Sequence, residues 1–335
     1  MKLYFITEAR FLKKGDAYYT QGSFTSALWN RYLSVFDEIV VVARVQHIAE
    51  DAVVDEKFRS DTLGVSFMPI PYYIGPVGFV KKRRKIISLM REIFSHESAY
   101  ILRVPGLVGR IASKVLTEKG IKYGVEVVGD PYDVFAPHGN PITSIIRKYN
   151  VRILKDIVKK ASASIYVTKD QLQKRYPSAP GTFTTYASNV ILKQELIEPQ
   201  PRITQIATPK IVTLGMLSQM YKAPDVVIDA LALLKNKGIP CTVTWVGDGK
   251  YKMEMIEYAK QKGVSDRISF IGLLPAGEAV RRKLYEHNLF ILVSRTEGLP
   301  RALIEAMASG TYCIATRVGG IPELLDDEWL IDANS

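Results

Sequence analysis

The sequence predicts two doubly wound α/β domains, and three observations carry that expectation. Short β-branched apolar runs alternate with helix-period segments along almost the whole chain. Several of the runs, such as Ile39–Ala43 and Leu289–Val293, are continuously apolar, as parallel strands covered on both faces must be. The alternation breaks once, between about Ser188 and Pro209, in a polar stretch with three prolines and no apolar period. A length of 335 residues suits two domains, at roughly 100–200 residues each. Sheets of this kind take their ligands at the carboxyl ends of the strands, so two of them on one linker would frame a cleft.

Taken in order, strands are expected at Lys2–Thr7, Glu38–Ala43, Val65–Ile70, Ala99–Arg103, Gly124–Val128 and Ser164–Thr168. Each is a branched or aromatic run bounded by polar or turn-forming residues. Between them, helical periodicity covers Ser23–Ser34, with Ser23 as a candidate N-cap, Phe79–Ser95 and Pro141–Lys160. After the break come strands at Lys210–Leu214, Thr242–Val246, Ile268–Ile271, Leu289–Val293 and Tyr312–Ala315. Helices there are expected at Pro224–Lys237, Lys250–Lys262 and Gly277–Glu286. A last helix should start with Pro300 in its first turn and close at Gly310. The first domain is thus placed at 1–200, including the linker from about 188, and the second at 201–335.

Composition excludes other classes. No apolar run reaches the roughly 18 residues of a membrane span. MKLYFITEAR meets an acid at Glu8 before any long apolar run, unlike a signal peptide. Cys241 and Cys313 lie in strand-like runs and read as reduced core residues of a cytoplasmic protein. The net charge of +11 is uneven: residues 1–200 carry 29 Lys/Arg against 19 Asp/Glu, residues 201–335 only 16 against 15. Its densest segment is Phe79–Ser95, where Lys81–Lys85 precede Ile86, Ile87, Met90, Ile93 and Phe94 on one helical face. That helix could lie on an anionic membrane or pack its stripe on its own domain. Nucleic-acid signatures are lacking, so no nucleic-acid partner is expected.

The most informative stretch is Ser294–Leu325. Strand Leu289–Val293 runs into a loop ending at Glu297, Gly298 and Leu299, and the helix after it turns its free N–H groups towards the strand ends, where an anion is favoured. Glu305 lies within the helix among Leu303, Ile304, Ala306 and Met307, so a half-buried acid is expected, and the vicinal hydroxyls of a ribose would supply it with donors. Lys222, before Ala223-Pro224-Asp225, stands at a helix start and by itself reads as a solvated loop lysine.

These residues resemble the group 1 (family 4) retaining glycosyltransferases of the GT-B fold, two Rossmann-like doubly wound domains facing a cleft. The resemblance rests on Glu297-Gly-Leu-Pro-Arg-Ala-Leu-Ile-Glu305, on Gly319-Gly320-Ile321-Pro322-Glu323, and on Leu214-Gly215-Met216-Leu217-Ser218 followed by Lys222. It is firm from about residue 210 onward and looser before. It implies a metal-independent hexosyltransferase that moves sugar from a nucleotide-diphosphate sugar to a sugar acceptor, and the basic first domain with its amphipathic Phe79–Ser95 suits a lipid-linked acceptor and a peripheral place on the inner, cytoplasmic face of the membrane. Surface polysaccharide or glycolipid assembly is the implied setting, and no cofactor is expected. A nucleotide-sugar epimerase or a non-catalytic sugar-nucleotide-binding protein on the same fold is the alternative.

By that resemblance Glu297 contacts the donor sugar, Lys222 the diphosphate and Glu305 the ribose. Gly215, Ser218, Gly298, Leu299, Pro300 and Arg301 would line the donor, and Gly247, Asp248 and Gly249 would form a close-approach loop. Gly272 and Leu273 would flank the base, and Gly22 would stand in for the family's glycine pair. The arginine common after the first glycine is Met216 here, so Arg295 or Arg301 would supply the second cation. Asp130 is a candidate on the acceptor side, with a turn-forming Asp-Pro as the plain alternative, and His138 reads as a turn residue. Family members continue with helices beyond the last strand, so the second domain is expected to lack its terminal helices.

Overall fold

The computed structural model describes residues 1–20, 24–134, 141–190, 192, 197–198, 208–275 and 277–333. Two compact units make up the chain, Met1–Pro131 with Lys148–Ala187 and Tyr132–Arg147 with Ser188–Ser335. The second unit therefore takes in a short earlier segment.

The first unit runs β1 (Lys2–Lys14), β2 (Ala17–Thr20), α1 (Ser26–Leu33), β3 (Glu38–His47), β4 (Val65–Ile70), α2 (Gly75–Ile93), β5 (Ala99–Val104), α3 (Leu107–Glu118) and β6 (Gly124–Val127). The short α4 (Pro131–Val134) and the long α5 (Pro141–Lys160) follow, the segment Tyr132–Arg147 going with the second unit, then β7 (Ala163–Tyr166), α6 (Gln171–Arg175) and β8 (Phe183–Tyr186). Its sheet has the order β4-β3-β1-β5-β6-β7-β8 and is parallel except for β2, which pairs antiparallel with β1. A register shift between Ile6 and Arg10 lets β1 rejoin β3 and outlast its expected end at Thr7. The N-cap of α1 is Thr25; Ser23 lies outside the described residues.

Helix α2 resolves the two readings of the basic segment. Phe79, Ile86, Met90 and Phe94 are buried in their own unit, while Lys81–Lys85 are exposed. The apolar stripe serves the core, because four such side chains gain about 1.5–3 kcal/mol each by burial. No helix among the described residues is long and apolar enough to cross a membrane.

The second unit contains β9 (Lys210–Leu214), α7 (Pro224–Asn236), β10 (Thr242–Val246), α8 (Lys252–Gln261), β11 (Ile268–Gly272), α9 (Glu278–Tyr285), β12 (Leu289–Leu292), α10 (Arg301–Ala308), β13 (Tyr312–Thr316) and β14 (Leu330–Ile331). The order β11-β10-β9-β12-β13-β14 is parallel throughout. Alternating side chains feed two layers. Ile211, Val243 and Trp245 meet Val227, Leu231 and Met255, whereas Val212 and Phe290 meet Leu303 and Ala306. Cys241 and Cys313 are buried and free, and burial pushes the Cys313 thiol up to about 12. Strand order reverses between β9 and β12, the point where such a sheet leaves a crevice at its carboxyl edge.

Candidate active site

Lys222 and Glu297 meet at that switch point. Lys222 sits on a turn of 3-10 helix, Met220–Lys222, after β9, and is followed by Ala223, a buried residue in the left-handed region at φ 51°. An L residue there costs roughly 1–2 kcal/mol and redirects the chain sharply into α7. The Lys222 Nζ donates to Glu297 Oε1 at 2.5 Å, and the Ser294 hydroxyl donates to the same oxygen at 2.6 Å. Their side chains are only 11% and 8% exposed. Both donors land on Oε1, so among the described residues Glu297 Oε2 accepts no hydrogen bond.

The surrounding loops hold this pair in place. Gly215 N donates to Val246 O, Leu217 N to Asp248 O, and Gly247 N to Gly272 O, which ties together the ends of β9, β10 and β11. The Trp245 indole donates to Gly215 O at 2.8 Å. Close backbone approach requires glycine here. A Cβ on Gly247 would lie 2.0 Å from Gly215 O, and one on Gly319 would lie 1.8 Å from Glu297 O, with both glycines at positive φ. Gly320 N also donates to Gly298 O at 2.7 Å, so the loop after β13 buttresses the loop that carries Glu297.

Pro300 is the N-cap of α10, at ψ 112°, and Arg301 is the first helical residue, one position later than expected. Its φ of −75° suits either place, but the extended ψ ends the loop there. No side chain caps the first turn of α10. Gly310, at φ 64°, closes the helix in the left-handed conformation. Glu305 is half-buried on the second turn, and among the described residues its carboxylate meets no hydrogen-bond donor. Burial raises its pKa above the usual carboxylate value, opposed by Arg301 one turn earlier.

The structure thus groups Gly215, Ser218, Lys222, Gly247, Asp248, Gly249, Gly272, Leu273, Glu297, Gly298, Leu299, Pro300, Arg301 and Glu305 at the carboxyl edge of one sheet. Arg295 is no spare cation. It pairs with both oxygens of Asp225 at 3.1 and 2.6 Å and donates to Met220 O, bracing the turn that carries Lys222. Arg301 is exposed. Gly22 and His138 lie outside the described residues.

Asp130 belongs to the first unit, just after β6. Its side chain is 2% exposed and is held by Arg175 and by the Tyr176 hydroxyl. A second acid of that unit escaped the sequence reading. Glu8, in the bulge of β1, accepts from Tyr73 Oη at 2.5 Å and from Val108 N at 2.9 Å, capping α3, while Arg44 lies 3.4 Å away. Burial, with the Glu8 carboxylate adding to it, raises the Tyr73 phenol above its ordinary value.

A family model described as "Glycosyl transferases group 1" matches residues 208–335. Protein CapJ of Staphylococcus aureus is 30% identical over 331 residues, 98% of this chain and 82% of that protein. The chain belongs to the group 1 glycosyltransferases. An N-acetyl-alpha-D-glucosaminyl L-malate synthase of Bacillus anthracis is 24% identical over 72% of this glycosyltransferase and 62% of its own length. Among solved structures, sucrose-phosphate synthase of Thermosynechococcus elongatus superposes with a TM-score of 0.70, covering 100% of this chain and 86% of that one at 13% identity. Anabaena HepE, in complex with UDP and glucose, gives 0.64 at 15% identity, with the same two coverages. These likenesses place the fold of this glycosyltransferase in the GT-B class of two parallel-sheet α/β domains.

Proposed function

We propose that this glycosyltransferase takes a sugar from a nucleotide-diphosphate sugar held by its second unit and passes it, with retention, to an acceptor hydroxyl in polysaccharide or glycolipid assembly. The observation that carries the reading is the Lys222–Glu297 pair at the switch point, with Glu297 Oε2 left to accept from a sugar hydroxyl. Lys222 neutralises the departing diphosphate, the uncapped first turn of α10 offers its N–H groups to the phosphates, and Glu305 accepts from the ribose. Named relatives fit this setting, among them a colanic acid glycosyltransferase of Escherichia coli and an amylovoran glycosyltransferase of Erwinia amylovora.

In the retaining step the acceptor oxygen bonds to the anomeric carbon on the face from which the phosphate leaves. The anomeric carbon–phosphate oxygen bond breaks, and the acceptor proton passes to the departing phosphate oxygen. No second carboxylate is required, in contrast to glycosidases. Positioning and stabilisation of the leaving group then supply the rate. Asp130 acts here as a positioning group, since its carboxylate is engaged by Arg175 and Tyr176. We place the reaction outside metal catalysis, and turnover undiminished by a chelator is the check.

The test is nucleotide binding by calorimetry, with wild type beside Lys222→Ala and Glu305→Ala. Nucleoside diphosphates and their sugars should bind the wild type and weaken at least tenfold in either variant. No binding to any of them would sink the donor assignment. Turnover of the donor sugar with no acceptor present would instead favour an epimerase.

A further inference from the structure

We propose that a groove on the first unit, bounded by α2, α3 and α5, binds the phosphate headgroups of an anionic lipid surface. Its volume is about 370 Å³, within the range of small-ligand pockets. On α2, Val80, Arg83, Ile87 and Arg91 recur at helical spacing and line one wall, beside the stripe that faces the core. On α3, Ile111 and Val115 form an apolar floor, with Arg110 and Lys114 standing above it.

Charge is unbalanced in this groove. Four cations, Arg83, Arg91, Arg110 and Lys114, share a single acid, Glu118, which takes Arg91 at 2.9 Å and Lys114 at 3.7 Å. Arg110 donates to the Tyr149 hydroxyl at 2.5 Å, a neutral partner. Among the described residues no ion pair engages Arg83 or its neighbours Lys81, Lys82, Arg84 and Lys85. An anion with several oxygen acceptors satisfies these groups, and a phosphodiester is such an anion.

The exposed apolar start of α2, of which Val80 lines the groove, decides between possible sources of the phosphate. Ile74, Val77 and Val80 are about 70% exposed at the start of α2, directly before the cations. Apolar side chains in that place are a cost in water and a gain at a bilayer interface, where adjacent lysines and arginines are drawn to anionic lipid. A nucleic acid would leave them unused. The surface differs from the one expected from sequence: the stripe of α2 is spent in the core, and the flank of the helix beside it meets the lipid.

The experiment is flotation with vesicles of phosphatidylcholine alone and of phosphatidylcholine mixed with phosphatidylglycerol. Wild type should bind only the mixed vesicles, and Arg83→Glu with Lys114→Glu should weaken that binding at least about tenfold. Arg83→Gln with Lys114→Gln should lose less, and Lys237→Glu with Lys260→Glu, an equal charge change on exposed residues of the second unit, should leave it intact. Unchanged binding in the groove variants, or an equal loss in the control pair, would overturn the proposal. So would binding of free glycerol phosphate without vesicle binding, or competition by duplex RNA through the same two residues. Vesicle binding is read without turnover, so its failure is separable from failure of the proposed reaction.

Discussion

Lys222 and Glu297, 75 residues apart in sequence, form an ion pair at 2.5 Å across the point where the second sheet reverses its strand order. Ser294 shares the contacted oxygen, and Arg295, next in sequence, braces the lysine's own turn through Asp225. The two loops are therefore locked to one another by Glu297 on Lys222 and by Arg295 on Asp225 and Met220.

Removing one member leaves the other as a nearly buried charge. Glu297→Gln and Lys222→Ala are each expected to lower kcat by about 100-fold or more, as loss of a preorganised electrostatic partner does. The double variant should be much less impaired in stability than the sum of the singles, because it strands no charge. A double-mutant cycle on kcat and on thermal stability checks both parts.

Glu305 sets stability against binding. Burial raises its folded pKa above the unfolded value, so the fold prefers the protonated acid. Protonation adds stability as pH falls through the folded pKa, and at neutral pH the carboxylate is a cost. Glu305→Gln should thus raise Tm at neutral pH, with the gain shrinking below the folded pKa. Nucleotide affinity should meanwhile fall about tenfold or more, the worth of one charge-assisted hydrogen bond. Melting curves across pH, with and without nucleoside diphosphate, report both.

Two glycines of the site should respond in opposite ways. Gly319→Ala presses a methyl onto the Glu297 carbonyl at positive φ and should cost about 2–4 kcal/mol with loss of activity. A Cβ on Gly298 meets nothing within 4 Å, so Gly298→Ala should melt like wild type. A fall in its donor affinity alone, measured by calorimetry, would place the ligand over Gly298.

Much of this was legible in the sequence, because the information is local. Continuous apolar runs such as Ile39–Ala43 announce parallel strands, and β4, β9 and β10 match their expected limits. Glu297 and Glu305 are legible because one loop and helix carry both. What escaped depends on distant partners or on exposure. Every side chain of β8 is exposed, so the strand has no apolar period to read, and β14 is two residues long. The Arg295 contacts, and Glu8 at the start of α3, join groups far apart in the chain or at an irregularity of the backbone. The fate of the α2 stripe was open for the same reason: a basic amphipathic segment reads alike whether its apolar face meets lipid or its own core.

Asp130 is the most deeply seated acid considered. Asp130→Asn should destabilise the first unit, since the buried carboxylate charge that meets Arg175 and the Tyr176 hydroxyl is lost. Nucleotide affinity of the second unit should stay the same, which calorimetry alongside thermal melting would verify.

The central claim is transfer with retention from a nucleotide-diphosphate sugar, and one measurement bears on it most directly. Purified protein is given the nucleotide sugar that stabilises it, with a panel of sugar and lipid-linked acceptors, and the anomeric configuration of the product is read by proton NMR. The account predicts a new glycosidic bond of the donor's own configuration, formed by wild type and lost in Lys222→Ala. An inverted product, or donor turnover that proceeds equally with no acceptor, would contradict it.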